Sequence, residues 1–306
     1  MSKKSKIILM LIFTLIIVGC SSENSSKDEI NVYTRDVASG SRQAFESIIQ
    51  LDAITNESAQ TSNNGDMATQ VGNNKNAIGY VSISTDFQAN NLKKLAYEGV
   101  EVSIESVNNK EYKLARPFLF ITRAKGDYES NKKEQLILAF IDYMQNSIEG
   151  KEFILAAGGV VDVSEGRPWQ ELKKNHPIVN QDNSNLTIVT GGSTSVSKTL
   201  TRVISSFIPL AGNFEYQPNH TGSSDGYKRT LGSEKDGANK IDIGFVSREF
   251  KESENTDSAL KAGEYAKDAI VVVVNEENQV VDNLNKEQLN KIFSKEIKLW
   301  QNVKDW

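Results

Sequence analysis

The chain has 306 residues, with 35 lysines and arginines against 40 aspartates and glutamates, a formal net charge of −5 and a sequence pI of about 5.4. That acidic balance argues against a nucleic-acid partner, which would need a basic face. Cys20 is the only cysteine, so no intramolecular disulfide can form, and with only His176 and His220 beside it a zinc or thiolate site lacks ligands.

Lys3, Lys4 and Lys6 precede an apolar run over residues 7–18, which ends at Gly19-Cys20. A basic start with so short a run fits an export signal better than a spanning helix, which needs about 20 apolar residues. Ile17-Val18-Gly19-Cys20 has the form of a bacterial lipobox. Residues 1–19 are therefore expected to be a lipoprotein signal peptide, with Cys20 lipidated; the alternative is an ordinary cleaved signal with a chance cysteine. The stretch 20–30 reads as a flexible tether, its residues 21–28 being without an apolar side chain. The mature protein is then expected on the extracytoplasmic face of the cell membrane, held by lipid rather than by a helix.

Strand-like runs alternate with helical patterns beyond the tether. Residues 30–34 read as a strand, and Phe45, Ile48 and Ile49 follow at helical spacing. Residues 77–83 and 118–122 are further strands, and a helix over 133–146 places Leu136, Phe140, Ile141 and Met144 on one face. The stretch 165–185 has weak apolar periodicity and reads as a long connection. A strand over 186–190 leads to a helix with Leu200, Val203, Ile204, Phe207 and Ile208 on one face. Residues 241–246 and 269–274 are strands, and Leu284, Leu289, Ile292 and Phe293 are assigned to a last helix. Such alternation predicts an α/β fold with a largely parallel sheet, in which ligands bind where strands lead into helices.

Three short loops stand at such helix starts: Ser39-Gly40-Ser41-Arg42, Gly192-Ser193-Thr194-Ser195 and Gly222-Ser223-Ser224-Asp225-Gly226. A helix N-terminus carries unpaired N–H groups and about half a positive charge, and small hydroxyl residues add donors without blocking approach. One such loop is usually a capped helix; three, with Arg35 four residues ahead of the first, suggest a cage for a small oxyanion. A Ser-His-Asp triad would have to use His220, near Ser223, and is the less favoured reading. Neither a metal nor a cofactor is implied.

These residues resemble the substrate-binding lipoprotein of high-affinity phosphate ABC transporters. Gly192-Ser193-Thr194-Ser195-Val196 is similar to the family's opening anion loop, Gly222-Ser223-Ser224-Asp225-Gly226 to its second, and Asp242-Ile243-Gly244-Phe245-Val246-Ser247-Arg248-Glu249 to its third. Asn283-Leu284, Ile292-Phe293 and Trp300 match the segment after its first hinge strand. Arg35-Asp36-Val37-Ala38-Ser39-Gly40-Ser41-Arg42 resembles its arginine loop, and Ala77-Ile78-Gly79-Tyr80-Val81 and Arg116-Pro117 match its later portion. The order differs from the family's, whose GSTSV-like loop lies near the mature N-terminus. The chain therefore reads as a circular permutation in which 165–185 joins the old ends, a fragment of a tandem array being the alternative.

The resemblance implies a two-lobe fold of the type II periplasmic-binding-protein kind, with the ligand between lobes and two hinge-crossing strands. The crossings are expected near 113–116 and 272–275, making 31–115 with 273–306 a split lobe and 116–272 a continuous one. It implies inorganic phosphate as ligand, held by Thr194, Ser195, Ser223 and, more weakly, Ser247 from one lobe. Arg35, Ser39, Gly40 and Ser41 serve from the other, while Arg42 is expected to be structural. It further implies permease subunits of an ABC importer as partners, a monomer, and the cell surface of a Gram-positive bacterium. Many family members carry an acidic proton acceptor where this chain has Arg248. Asp225 or Asp36 is left to accept, though each is read first as a helix cap, and sulfate or molybdate remains an alternative ligand. Other readings are a sensing or adhesion lipoprotein with a relic cleft, and a phosphoester hydrolase using Ser223 with His220.

Overall fold

The computed structural model describes residues 29–304 except 53, 55 and 56; Cys20 and the lipobox lie outside the described residues. The chain forms β1 (Asn31–Arg35), α1 (Gly40–Ile49), β2 (Ala59–Thr61), α2 (Asn64–Gly72), β3 (Ala77–Ser82), β4 (Leu92–Lys94), β5 (Ala96–Tyr97) and α3 (Ile104–Asn108). It continues with β6 (Ala115–Thr122), α4 (Asn131–Asn146), α5 (Ile148–Ala156), α6 (Trp169–Leu172), β7 (Thr187–Gly192), α7 (Ser197–Phe207), β8 (Glu215–His220) and α8 (Ser223–Thr230). β9 (Ile243–Val246), β10 (Ala262–Asn275), β11 (Asn283–Leu284) and α9 (Lys286–Phe293) follow.

A continuous sheet runs in the order β2-β1-β3-β10-β6-β9-β7-β8, with β4 also on β10. The largely parallel sheet expected from the alternation is instead mixed. β1 pairs parallel with β2 and β3, and β7 parallel with β8 and β9, but β10 runs antiparallel to β3, β4 and β6. Two βαβ-like halves are parallel within themselves, and a long returning strand joins them.

That strand, β10, is the structural axis. Its residues 262–269 pair with β6 and its residues 270–274 pair with β3. The change of partner falls between Ala269 and Ile270, ahead of the 272–275 stretch expected for the crossing. Two hydrophobic cores lie on either side. One gathers Phe45, Ile78, Tyr80, Val271, Val273, Leu289 and Phe293; the other gathers Phe118, Phe140, Ile188, Leu200, Phe207 and Phe245. Two lobes result, and the cleft between them meets the C-terminal ends of β1, β2, β7, β8 and β9.

Two assignments change. Residues 165–185 are not a loose connection, since α6 and short 3₁₀ turns place Trp169, Leu172, Ile178 and Val179 in the second core. Leu284 belongs to β11, paired parallel with β5, and α9 starts after it with an Asn285–Gln288 capping box, a further short helix following at Gln301–Lys304. Among the described residues no helix is long and apolar enough to cross a membrane.

Candidate functional site

The strand ends deliver the site from both sides of the cleft. On the first lobe, β1 ends at Arg35, whose side chain is 1% exposed, and the chain turns into α1 with Ser39 as its N-cap. Ser39 Oγ accepts from Arg42 N–H at 3.4 Å, so this predicted ligand residue also serves as a cap. Arg42 has the structural role expected of it, donating to Glu46 at 2.8 Å and to the Arg35 carbonyl at 3.1 Å. β2 leads to Ser62 and to α2, which begins at Asn64 with Asn63 as its cap.

On the second lobe, β7 ends at Gly192, whose φ of +102° an L side chain rarely adopts and whose added Cβ would overlap the Phe245 carbonyl. That tight exit launches a 3₁₀ turn at Thr194 to Val196, in which Ser195 N–H donates to Ser193 Oγ at 3.1 Å. The Ser195 N–H expected to face an anion is therefore engaged locally. α8 starts at Ser223 after Gly222 with no side-chain cap, leaving its first N–H groups to other partners. Ser247 follows β9 and binds a cluster of hydroxyls: Ser193 Oγ donates to it at 2.8 Å, Ser223 Oγ lies 3.3 Å away, and Ser247 N–H donates to Ser223 Oγ at 3.1 Å.

The halves touch at these residues. Arg35 Nη2 donates to Thr194 Oγ1 at 3.2 Å and to the Ser62 carbonyl at 2.9 Å. Ser41 and Ser195 share a hydroxyl hydrogen bond at 2.9 Å, and Asn64 Nδ2 reaches Ser195 Oγ at 3.5 Å. Gly40 backs onto Ser223 and Ser247 so closely that a Cβ there would lie 2.7 Å from Ser247 Oγ. Arg35, Gly40, Ser41, Thr194, Ser195, Ser223 and Ser247 thus meet across the cleft, while Ser39 is seen only as the cap of α1.

Burial holds the Arg35 guanidinium below its ordinary pKa, with Asp36 and Tyr80 opposing and Arg116 adding to the effect. Among the described residues its Nε and Nη1 have no hydrogen-bond partner although both are shielded from solvent, and Asn64 Oδ1 is equally without one. A buried guanidinium with unused donors is costly unless an anion takes them. The two other acidic candidates are engaged: Asp36 Oδ1 accepts from Ala38 N–H at 2.9 Å and Asp225 Oδ2 from the Thr221 hydroxyl at 2.5 Å. Arg248 pairs with Glu254, at 2.7 and 2.8 Å, and reaches across the cleft rim to Gln43 Oε1 at 2.7 Å.

The fold recurs in known proteins. A PBP superfamily domain matches residues 21–147 and 179–305. The chain belongs to the PBP superfamily. A phosphate-binding protein PstS 2 of Streptococcus agalactiae is 26% identical over 300 residues, covering 94% of this chain and 93% of that protein. The PstS 2 of Streptococcus pneumoniae is 28% identical over 308 residues, with 95% and 94% covered. Both alignments run through nearly all of each chain, so these PBP relatives share the order of elements. The crystal structure of a phosphate-binding protein of a Streptococcus pneumoniae phosphate ABC transporter superposes with a TM-score of 0.64 at 25% identity, covering 90% of this chain and 99% of that one.

Sequence reasoning missed three parts of this PBP cleft. Ser62 and Asn64 sit where β2 enters α2, and their signal was present as Ser62-Asn63-Asn64-Gly65-Asp66, a capping pattern. Ser193 was quoted as part of a loop but given no role. Arg116 was quoted only as a motif. It pairs with Asp268 through Nε at 3.0 Å and Nη2 at 2.7 Å, both side chains 1% exposed, and its Nη1 lies 3.4 Å from Ser247 Oγ. Asp268 also takes the Ser82 hydroxyl at 2.6 Å, and burial pushes its carboxyl above the usual range against the pull of Arg116. Only the folded register, Asp268 opposite Arg116, brings this pair together.

Proposed function

We propose that this PBP protein captures inorganic phosphate outside the cytoplasmic membrane and delivers it to the permease subunits of an ABC importer. The observation that carries the reading is Arg35, buried at the meeting point of two lobes with Nε and Nη1 unused beside the hydroxyls of Ser41, Thr194 and Ser195. A buried cation with unused donors beside these hydroxyls suits a tetrahedral oxyanion, and each lobe holds only part of the cage, so capture proceeds by closure. The names of the streptococcal relatives point to the same ligand. Ser39, Gly40, Ser223 and Ser247 complete the proposed contact set, with lobes spanning 31–115 plus 270–306 and 116–269, divided in β10 where that strand changes partner. A monomer lipidated at Cys20 after removal of 1–19 completes the proposal, with an element order derived by circular permutation that the relatives share.

The cleft binds and does not turn over its ligand. Nδ1 of His220 lies 3.0 Å from the Ser193 carbonyl, which can only accept, so Nε2 is left to accept from Thr190 Oγ1 at 3.0 Å. With both nitrogens engaged there, His220 is not placed as a base for Ser223. The test is a calorimetric titration of the phosphate-stripped mature protein with phosphate, sulfate and molybdate. Phosphate is expected to bind at micromolar Kd or tighter, about −8 kcal/mol, and Arg35→Ala to weaken it at least about a hundredfold. Heat from none of the three anions would sink the reading.

A further inference from the structure

We propose that Asn64 is the residue that selects phosphate over sulfate, its Oδ1 accepting the proton that phosphate carries and sulfate lacks. The inference rests on the phosphate-capture reading above. At neutral pH phosphate retains at least one proton and sulfate none, so its cage needs an oxygen free to accept, and a hydroxyl already tied to its neighbours supplies one only by rearranging. A buried polar hydrogen without an acceptor loses binding, and a site that supplies one gains discrimination against an isosteric ligand without it.

The carboxylates near the cleft are engaged. Asp268 receives Arg116 and Ser82, and Asp225 receives Thr221. Asp66 Oδ2 receives the Ser62 N–H at 2.8 Å and its hydroxyl at 3.2 Å, contacts that hold its pKa below the usual range. Asp36 uses Oδ1 for Ala38 N–H and presents Oδ2 to Arg35 at 3.6 Å, with its side chain 35% exposed. Arg248 is a cation engaged by Glu254 and Gln43 and offers no acceptor.

The hydroxyls of the cage are tied to one another, and the shielded acceptor left over is an amide. Asn64 Oδ1 is shielded from solvent and has no partner among the described residues, while its Nδ2 reaches Ser195 Oγ at 3.5 Å, which in turn bonds Ser41 across the cleft. An amide offers acceptor and donor from one plane, so it can steady Ser195 and take the ligand's proton together. A neutral acceptor also adds no negative charge beside the anion. The first residue of α2 is a rigid mount for it, because Asn63 caps the helix through Asp66 N–H at 2.9 Å.

Calorimetric titrations of the mature protein with phosphate and sulfate, on wild type, Asn64→Ala and Asn64→Asp, test this. Asn64→Ala is expected to weaken phosphate about tenfold with sulfate affinity nearly unchanged, as expected for one lost buried acceptor. Asn64→Asp keeps an acceptor but no donor and is expected to hold phosphate within about threefold of wild type while binding sulfate more weakly. Equal loss of both anions in Asn64→Ala, or a phosphate loss in Asn64→Asp as large as in Asn64→Ala, would identify the amide as a donor and overturn the proposal. An unchanged phosphate affinity in Asn64→Ala would overturn it too, while leaving phosphate capture intact. Wild type that binds no phosphate would remove both. Melting curves of each variant separate lost binding from lost folding.

Discussion

His220 shows how one buried side chain couples the anion loops to pH. Its ring ties the Ser193 carbonyl to the Thr190 hydroxyl, and burial pushes its pKa down to about 4 from 6.5, with the Ser193 hydrogen bond opposing and Arg229 assisting. The unfolded chain therefore binds more protons than the folded one between those two values. Stability tied to the neutral ring is complete above pH 6.5 and is lost as pH falls toward 4, about 3 kcal/mol in all. Guanidinium unfolding at pH 7 and pH 5 should show wild type losing about 2 kcal/mol more than His220→Gln, which cannot titrate. Equal losses in the two proteins would mean that the ring is already solvated in the native state. Trp169 fixes the other histidine by stacking, its ring centroid 6.0 Å from that of His176, while His176 Nε2 meets Asp142 at 2.8 Å.

At the scale of elements, β6 and β10 carry the paired ions that brace the site. Arg116 and Asp268 face each other across the two strands, just before β10 changes lobes, and Ser82 and Ser247 hang on opposite ends of the pair. Removing one partner strands the other charge in a dry place, which costs about 3–5 kcal/mol. Arg116→Met is therefore expected to lower the unfolding free energy by that amount, and restoring an apolar match with Asp268→Leu to recover part of it. Denaturant titrations of the two single variants and the double variant check this; additive losses would show that the pair is not coupled. How far such elements could be read from the chain depended on their burial. β10 was recognised only from Ala269 to Val274, where every residue is buried, because its earlier half starts exposed and carries Glu264, Lys267 and Asp268. β8 went unseen: it is a sheet-edge strand, mostly exposed, with Pro218 inside it, which is where proline is tolerated. α2 was missed because it opens on polar residues, although Met67, Ala68 and Val71 bury its inner face.

The whole molecule is described with its lobes in contact, and a few polar bridges hold that arrangement. Gln43 on α1 accepts from Arg248 Nε at 2.7 Å and donates to Ser224 Oγ at 3.3 Å, while Lys198 Nζ donates to the Ser84 carbonyl at 2.7 Å. Thr194 and Ser195 meet Arg35 and Ser41 inside the same interface. Gln43 touches the cleft rim rather than the anion cage, so it bears on how long the lobes stay closed. Gln43→Ala should speed phosphate release about fivefold, the worth of roughly one hydrogen bond, with little change in the association rate. Stopped-flow fluorescence would read both rates, and an unchanged release rate would dismiss the clasp.

The sequence by itself determined the α/β class, the three hydroxyl loops at helix starts and the arginine ahead of the first. Each of these is written in local spacing, where apolar periodicity, small residues and helix starts leave their mark. The mixed sheet, the exact point at which β10 passes between lobes and the folding of residues 165–185 onto the second core were decided by tertiary structure. So was the closing of the Arg116–Asp268 pair, 152 positions apart, and the isolation of Arg35 and Asn64 with unused polar atoms. The physical reason is range: a capped helix start is settled by neighbours in the chain, whereas a buried charge finds its partner, or is left waiting for a ligand, only when distant strands have paired.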